Sequence, residues 1–167
     1  MTKTINTAIA GFTLREAGED DAGTIRAMLR GLATADGVER YPTAPEEQIR
    51  DAMIRRGAAE AVIAEYEGEP VGLALYYPTY SSSLALQNLY LEDFYIKGEY
   101  RSKGLGLEII KYLSRLVKER GYGRLEWMVL NDNTRAIRFY DSIGATVMDM
   151  LTLYHLKGEA LDKLAEL

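Results

Sequence analysis

Residues 89–106 read LYLEDFYIKGEYRSKGLG: an apolar, strand-like run carrying the acidic pair Glu92-Asp93 passes through a short turn into a basic, glycine-punctuated helix start. Apolar and aromatic content over 89–96 predicts a strand, and Gly98 turns the chain. From Gly104 onward Ile109, Ile110, Leu113, Leu116 and Val117 recur at helical spacing, Lys118 and Arg120 sit near the end, and Gly121 stops the helix. Bare N–H groups at a helix N-terminus attract anions, and glycines let phosphate oxygens come close to the main chain. The stretch therefore reads as a phosphate cradle. A further strand at 125–130 completes a parallel β-α-β unit with the cradle at its first turn.

On the N-terminal side, residues 1–11 read as a loose leader, followed by a short strand at 12–15. Glu19, Asp20 and Asp21 precede an apolar stripe of Ile25, Met28, Leu29, Leu32 and Ala33, which predicts a helix with negative charge in its first turn. Thr43 and Glu46 have capping-box spacing around Pro45, predicting a second, shorter helix that ends near Gly57. Strands at 61–66 and 71–77 flank a Glu67-Gly68 turn; Pro78 is expected to end the second, with a polar loop at 79–88. On the C-terminal side Asn133 is placed to cap a short helix carrying Ala136, Ile137, Phe139 and Tyr140, ending at Gly144. A last strand at 147–156 and a helical tail from Gly158 follow. The expected fold is α/β (α+β): a central mixed, twisted sheet flanked by helices, as one domain over 1–167.

Composition narrows the chemistry. The 167 residues are 47% hydrophobic, enough for one full core. The chain has no cysteine, which removes disulfides, thiol nucleophiles and cysteine metal sites, and is compatible with the cytoplasm. His155 is the single histidine and reads as a sheet residue rather than a base; no metal is expected. A net charge of -5 disfavours non-specific nucleic-acid binding and suits a cationic small molecule. No signal peptide and no apolar run long enough to span a bilayer is visible, so no membrane partner is expected.

Two familiar phosphate motifs fail. A P-loop needs a different glycine spacing before Gly-Lys-Ser/Thr, and a dinucleotide fingerprint needs a third glycine where Ile109 stands. What stands here is Arg101-Ser102-Lys103-Gly104-Leu105-Gly106, the pattern R-x-x-G-x-G between a strand and a long helix. With Asn133, Phe139-Tyr140 and Gly144 as a second signature, the chain resembles the GNAT superfamily of acetyl-CoA-dependent N-acetyltransferases, over nearly its whole length. Tyr76-Tyr77-Pro78-Thr79-Tyr80 and Leu89-Tyr90-Leu91-Glu92-Asp93-Phe94 resemble its diamine, or spermidine/spermine, group.

The resemblance implies acetyl-CoA as co-substrate, with Arg101, Ser102, Lys103, Gly104, Leu105 and Gly106 around its pyrophosphate. It implies that main-chain groups of Phe94, Tyr95 and Ile96 meet the pantetheine arm and the acetyl carbonyl on a strand splayed from its neighbour. It makes Glu92 the proton acceptor, directly or through water, and Tyr140 the general acid for the departing thiol. Asn133 would bond the pantetheine or cap its helix. Glu92, Asp36, Glu39 and Trp127 are the candidate acceptor-amine residues, while strand alternation turns Asp93 to the opposite face. The expected reaction is acetyl transfer to a primary amine of a small molecule (polyamine, diamine or amino-acid-like) through a tetrahedral intermediate. The alternatives are a protein or peptide amine as acceptor, or a non-catalytic acyl-CoA-binding regulatory module. A homodimer is expected, with 147–156 and the helical tail as the candidate contact.

Overall fold

Among the described residues six strands pair in the order in which they occur in the chain: β1 (Thr4–Asn6), β2 (Phe12–Glu16), β3 (Glu60–Tyr66), β4 (Glu69–Ser81), β5 (Leu86–Ile96) and β6 (Leu125–Trp127). The pairs from β1 to β5 are antiparallel, and β6 joins β5 in parallel. The helices are α1 (Ala22–Ala35), α2 (Glu46–Ile49), α3 (Leu105–Glu119), α4 (Thr134–Ser142) and α5 (Glu159–Ala165). This computed structural model describes residues 3–37 and 43–167. Its contacts group into two compact units, residues 1–128 and 129–167.

The first unit holds the sheet and α1 to α3. Register sorts its side chains into two faces. Ile63 lies opposite Leu73, and Ala61 opposite Leu75; these pack with Ala22, Ile25 and Met28 of α1, with Ile49 and with Met53. Tyr76, opposite Leu91, points the other way and meets Tyr112 of α3. The apolar stripe read for α3 is buried in full, from Ile109 and Leu113 at 0% exposure to Leu116 at 9%. The β5-α3-β6 crossover is the parallel unit expected from residues 89–130, although β6 stops at Trp127.

Several local expectations are corrected. The supposed leader contains β1, paired to β2 through Ile5↔Leu14; three residues are too few for a periodic signal, and the pairing is tertiary. Asp21 does not serve as a solvated first-turn charge. It turns inward, accepting from Arg15 through both oxygens at 2.7 Å and from the Gly18 N–H at 2.7 Å. Thr43 forms no cap, because α2 begins after Pro45 and the Glu46 and Glu47 carboxylates are both engaged by Arg50. A π-helical turn at Arg50–Arg55 then carries the chain to Gly57.

Pro78 does not end β4, which continues to Ser81, opposite Leu86. Strand β3 accompanies β4 only as far as the pair Glu60↔Tyr76, so beyond it that edge asks for no donor and a proline is accommodated. Residues 79–88 are consequently a hairpin extension instead of a loop. In the second unit, α4 and α5 form as expected, but 147–156 is not a strand; Met150 (85% exposed) and Tyr154 (87%) stand in solvent, and His155 is exposed too, not a sheet residue.

Candidate active site

The cradle is built by two left-handed turns ahead of α3. Ser102 has φ 61° and Gly104 has φ 82°. At Gly104 a side chain would be strained and would also meet Ile9 Cδ1 at 3.4 Å. The N–H groups of Leu107 and Glu108 both donate to the Gly104 carbonyl, so those of Leu105 and Gly106 precede the first intrahelical acceptor. Arg101 anchors the turn by donating Nε–H to the Ile96 carbonyl at 2.7 Å, and its guanidinium lies 5.7 Å from the Tyr95 ring centre. Lys103 Nζ lies 5.2 Å from the Tyr100 ring centre. Two cations, left-handed turns and first-turn amides on one short loop suit a diphosphate.

The turn between β1 and β2 braces this loop. Buried Glu108, in the first turn of α3, accepts from the Ala8 N–H at 3.2 Å and from Lys111 Nζ at 2.8 Å. Lys111, more than Ala8, holds the Glu108 carboxyl below its ordinary pKa range. Close approach also shapes the opposite side: a Cβ on Gly31 of α1 would lie 2.6 Å from the Tyr95 hydroxyl, so glycine there makes room for that ring.

A β-bulge decides where the acids point. Leu75 lies opposite Asp93 and Tyr76 opposite Leu91, which leaves Glu92 as the extra residue on β5. One inserted residue shifts the alternation, so Asp93 shares a face with Leu75 and Tyr90, on the α1 side. The expectation that Asp93 faces away from Glu92 is therefore corrected. Tyr77 donates its hydroxyl to Glu92 Oε2 at 2.8 Å, and its ring stands 5.4 Å from that of Tyr90. Asp36, just after α1, lies close enough to Asp93 for their charges to interact. Asp93 thus lies within electrostatic reach of both Glu92 and Asp36. Burial, then the charges of Glu92 and Asp36, push the Asp93 carboxyl up to about 6.

Past the bulge, β5 outruns β6, whose pairing ends at Leu91↔Trp127. The Lys97 N–H donates to Val71 O at 2.9 Å. Antiparallel alternation then turns the Tyr95 main-chain groups toward β4, and those of Phe94 and Ile96 toward the edge that β6 does not follow. Of the three residues expected at this edge, Phe94 and Ile96 are thus the ones whose main chain faces it. The parallel register puts Trp127 with Leu91 on the α3 side, whereas Asp36, Glu92 and Asp93 gather on the other. Glu39 lies outside the described residues.

In the second unit Asn133 acts as a cap, its Oδ1 accepting from the Ala136 N–H at 3.1 Å. The rings of Phe139 and Tyr140 are 5.4 Å apart, and the Tyr140 carbonyl accepts from the Ala145 N–H at 3.1 Å where the helix ends. Sequence reading overlooked Tyr77 and misdirected Asp93. Both lie within the Tyr-Tyr-Pro and Tyr-Leu-Glu-Asp stretches already singled out, yet the bulge that brings them together has no residue signature.

The fold, the strand-turn-helix cradle and the bulge can be compared with known proteins. The Acetyltransferase (GNAT) family model matches residues 26–145. The chain belongs to the GNAT acetyltransferase family. It is 34% identical to a thialysine N-epsilon-acetyltransferase of Sus scrofa, over 94% of this chain and 99% of that protein. It is 38% identical to an L-ornithine N5-acetyltransferase of Arabidopsis thaliana, over 58% of this chain and 42% of the other. A solved integron cassette protein from the mobile metagenome of V. cholerae superposes with a TM-score of 0.77 at 21% identity, over 95% of this chain and 99% of that one, which shows the shared fold. This GNAT protein is thus an N-acetyltransferase, of a family that uses acetyl-CoA as co-substrate. No helix among its described residues is long and apolar enough to cross a membrane.

Proposed function

We infer that this acetyltransferase acts on a primary amine of a small cationic molecule: a diamine, a polyamine or an amino acid with a basic side chain. The observation that supports this most directly is the group Asp36, Glu92 and Asp93 gathered on one face at the β5 bulge. Three neighbouring carboxylates favour a ligand with more than one positive charge. Thialysine and ornithine, for which two relatives are named, are such molecules.

Bound acetyl-CoA supplies an acetyl group activated as a thioester. The cradle residues Arg101 to Gly106 would hold its pyrophosphate, and the edge of β5 at Phe94 to Ile96 its pantetheine arm. Glu92 takes a proton from the acceptor ammonium, directly or through water, as the amine nitrogen bonds to the acetyl carbon. The main-chain N–H at Phe94 or Ile96 meets the oxygen that becomes negative. Tyr140 gives its proton to sulfur as the carbon–sulfur bond breaks and regains one from the attacking nitrogen, so two protons leave nitrogen: one passes to Glu92 and on to solvent, and the other arrives at the thiol. Asn133 fixes the start of the helix that carries Tyr140. Glu39 is proposed to complete the acceptor wall; Trp127, on the opposite face with Leu91, is not carried into it. The proposed unit of function is one domain over 1–167, since the family match runs across both compact units.

Thiol release measured with acetyl-CoA and spermidine, putrescine, thialysine, ornithine, lysine or an aminoglycoside tests the reading; turnover with dibasic amines is expected, and none with any amine overturns it. Tyr140→Phe should slow kcat about a hundredfold, the lower end for a positioned acid, because a thiol of pKa near 8.5 leaves tolerably without help. Acetyl-CoA affinity should survive that change and fall with Arg101→Ala. A homodimer is also proposed, a second copy covering Val147, Met150, Leu151, Leu153 and Tyr154, which are 66 to 87% exposed. Light scattering should then give about twice the 18.7 kDa chain mass. The proposed location is the cytoplasm, in keeping with a cysteine-free chain.

A further inference from the structure

The bulge that presents Glu92 also creates a difficulty. A glutamate on an inserted residue is exposed, has three side-chain torsions and stands beside a second carboxylate that repels it. Left alone, it would sample many rotamers and turn toward solvent, away from Asp93 and Asp36. One contact opposes this: the Tyr77 hydroxyl donates to Oε2 at 2.8 Å. Tyr77 is itself fixed, since it lies opposite Tyr90 in the β4–β5 ladder with the rings 5.4 Å apart and inclined by 37°. Pro78 follows it and narrows the backbone at the next position. A half-buried, ladder-held phenol therefore grips one oxygen of a carboxylate that would otherwise be mobile.

We propose that Tyr77 is a positioning residue for acetyl transfer: by holding Glu92 Oε2 it presents Oε1 to the acceptor amine on the face shared with Asp93 and Asp36. The proposal rests on the reading of Glu92 as proton acceptor and adds the group that makes its geometry productive. Tyr77 does not touch the reacting atoms and takes no proton. Burial, and then the bond to Glu92, push its hydroxyl up to about 12, so it remains a donor across the range in which the acceptor amine loses its proton. Tyr90, on the same face, stacks on Tyr77 and feels the charges of Glu92 and Glu126; it is a wall of the arrangement, whereas the hydrogen bond is made by Tyr77.

The test is a double-mutant cycle on the intact chain with a dibasic amine, reading kcat, acceptor KM, acetyl-CoA affinity and melting temperature. Tyr77→Phe keeps the ring and removes the donor. It is expected to lower kcat by about five- to twentyfold with KM and acetyl-CoA affinity within about twofold, the split expected when a transition-state contact is lost without one that binds the ground state. Melting should stay within about a degree, as one exposed hydrogen bond is removed. In a Glu92→Gln background the same change should have no further effect on kcat, because the group being positioned no longer accepts a proton. Additive effects, or an unaltered kcat in Tyr77→Phe while Glu92→Gln is slow, overturn the role of Tyr77 and leave Glu92 standing. Normal turnover in Glu92→Gln overturns the reading of Glu92, and the role of Tyr77 with it. If Tyr77→Phe were unstable, Tyr77→His, which retains a donor on a ring, should recover part of the rate lost by Tyr77→Leu; equal rates would count against the proposal.

Discussion

Glu92→Gln is expected to slow kcat by about a thousandfold near neutral pH while acetyl-CoA binds within about twofold of its normal affinity. An acceptor resembling a lysine side chain has a pKa of about 10.4, so at pH 7 roughly one molecule in a few thousand is neutral, a deficit of about 4.6 kcal/mol. In the proposed mechanism a carboxylate at the bulge removes that proton within the complex, and the amide that replaces it cannot. The proposed pyrophosphate cradle lies on the turn beyond β5 and before α3 and does not involve the Glu92 side chain, so cofactor affinity should be spared. The deficit shrinks as pH rises toward the pKa of the amine. The variant should therefore gain rate about tenfold per pH unit from 7 to 9, where the unaltered enzyme levels off. Steady-state rates across that range, with calorimetry for acetyl-CoA, check both parts. A variant that levels off at the same pH as the parent would show that another group accepts the proton.

Much of the local geometry at this candidate site could be read from residues because its parts act within single segments. The R-x-x-G-x-G loop needs only a strand before it, a helix after it and glycine at the left-handed position 104, and each leaves a mark in the sequence. Asn133 as a cap and the buried stripe of α3 are legible for the same reason: capping and 3.6-residue periodicity act within one segment. What depends on pairing was misread. Pro78 looked like a strand end because the sequence does not reveal that β3 has already stopped alongside it. The facing of Asp93 followed strict alternation, and one inserted residue at Glu92 reverses it. Residues 147–156 have the alternating apolar pattern of a strand, yet pattern alone provides no partner strand, and none of them is assigned to the sheet.

Asp93→Asn should make the protein more stable at pH 8 and worse at its task. An acid whose pKa is higher folded than unfolded holds its proton better in the folded chain, so stability falls as pH rises between the two values. For Asp93 the window runs from its ordinary 3.8 to about 6, with burial as the first cause and the Glu92 and Asp36 charges after it. Above that window the cost of ionised Asp93 is complete, roughly 3 kcal/mol for a shift of about two units, less whatever solvent screens. Asparagine cannot ionise, so the variant should melt several degrees above the parent at pH 8, and the difference should vanish by about pH 4. The same anion is what a second positive charge on the acceptor would meet. The variant should therefore show a KM for a dibasic amine raised about tenfold or more, with acetyl-CoA affinity unchanged. Adding that amine at a fixed concentration should raise the melting point of the parent more than that of the variant. A variant that melts below the parent at pH 8 would mean that Asp93 is held by a stabilising partner in the resting protein. If instead all three results appear together, the carboxylate is kept at a cost to folding because the cationic substrate is what offsets it.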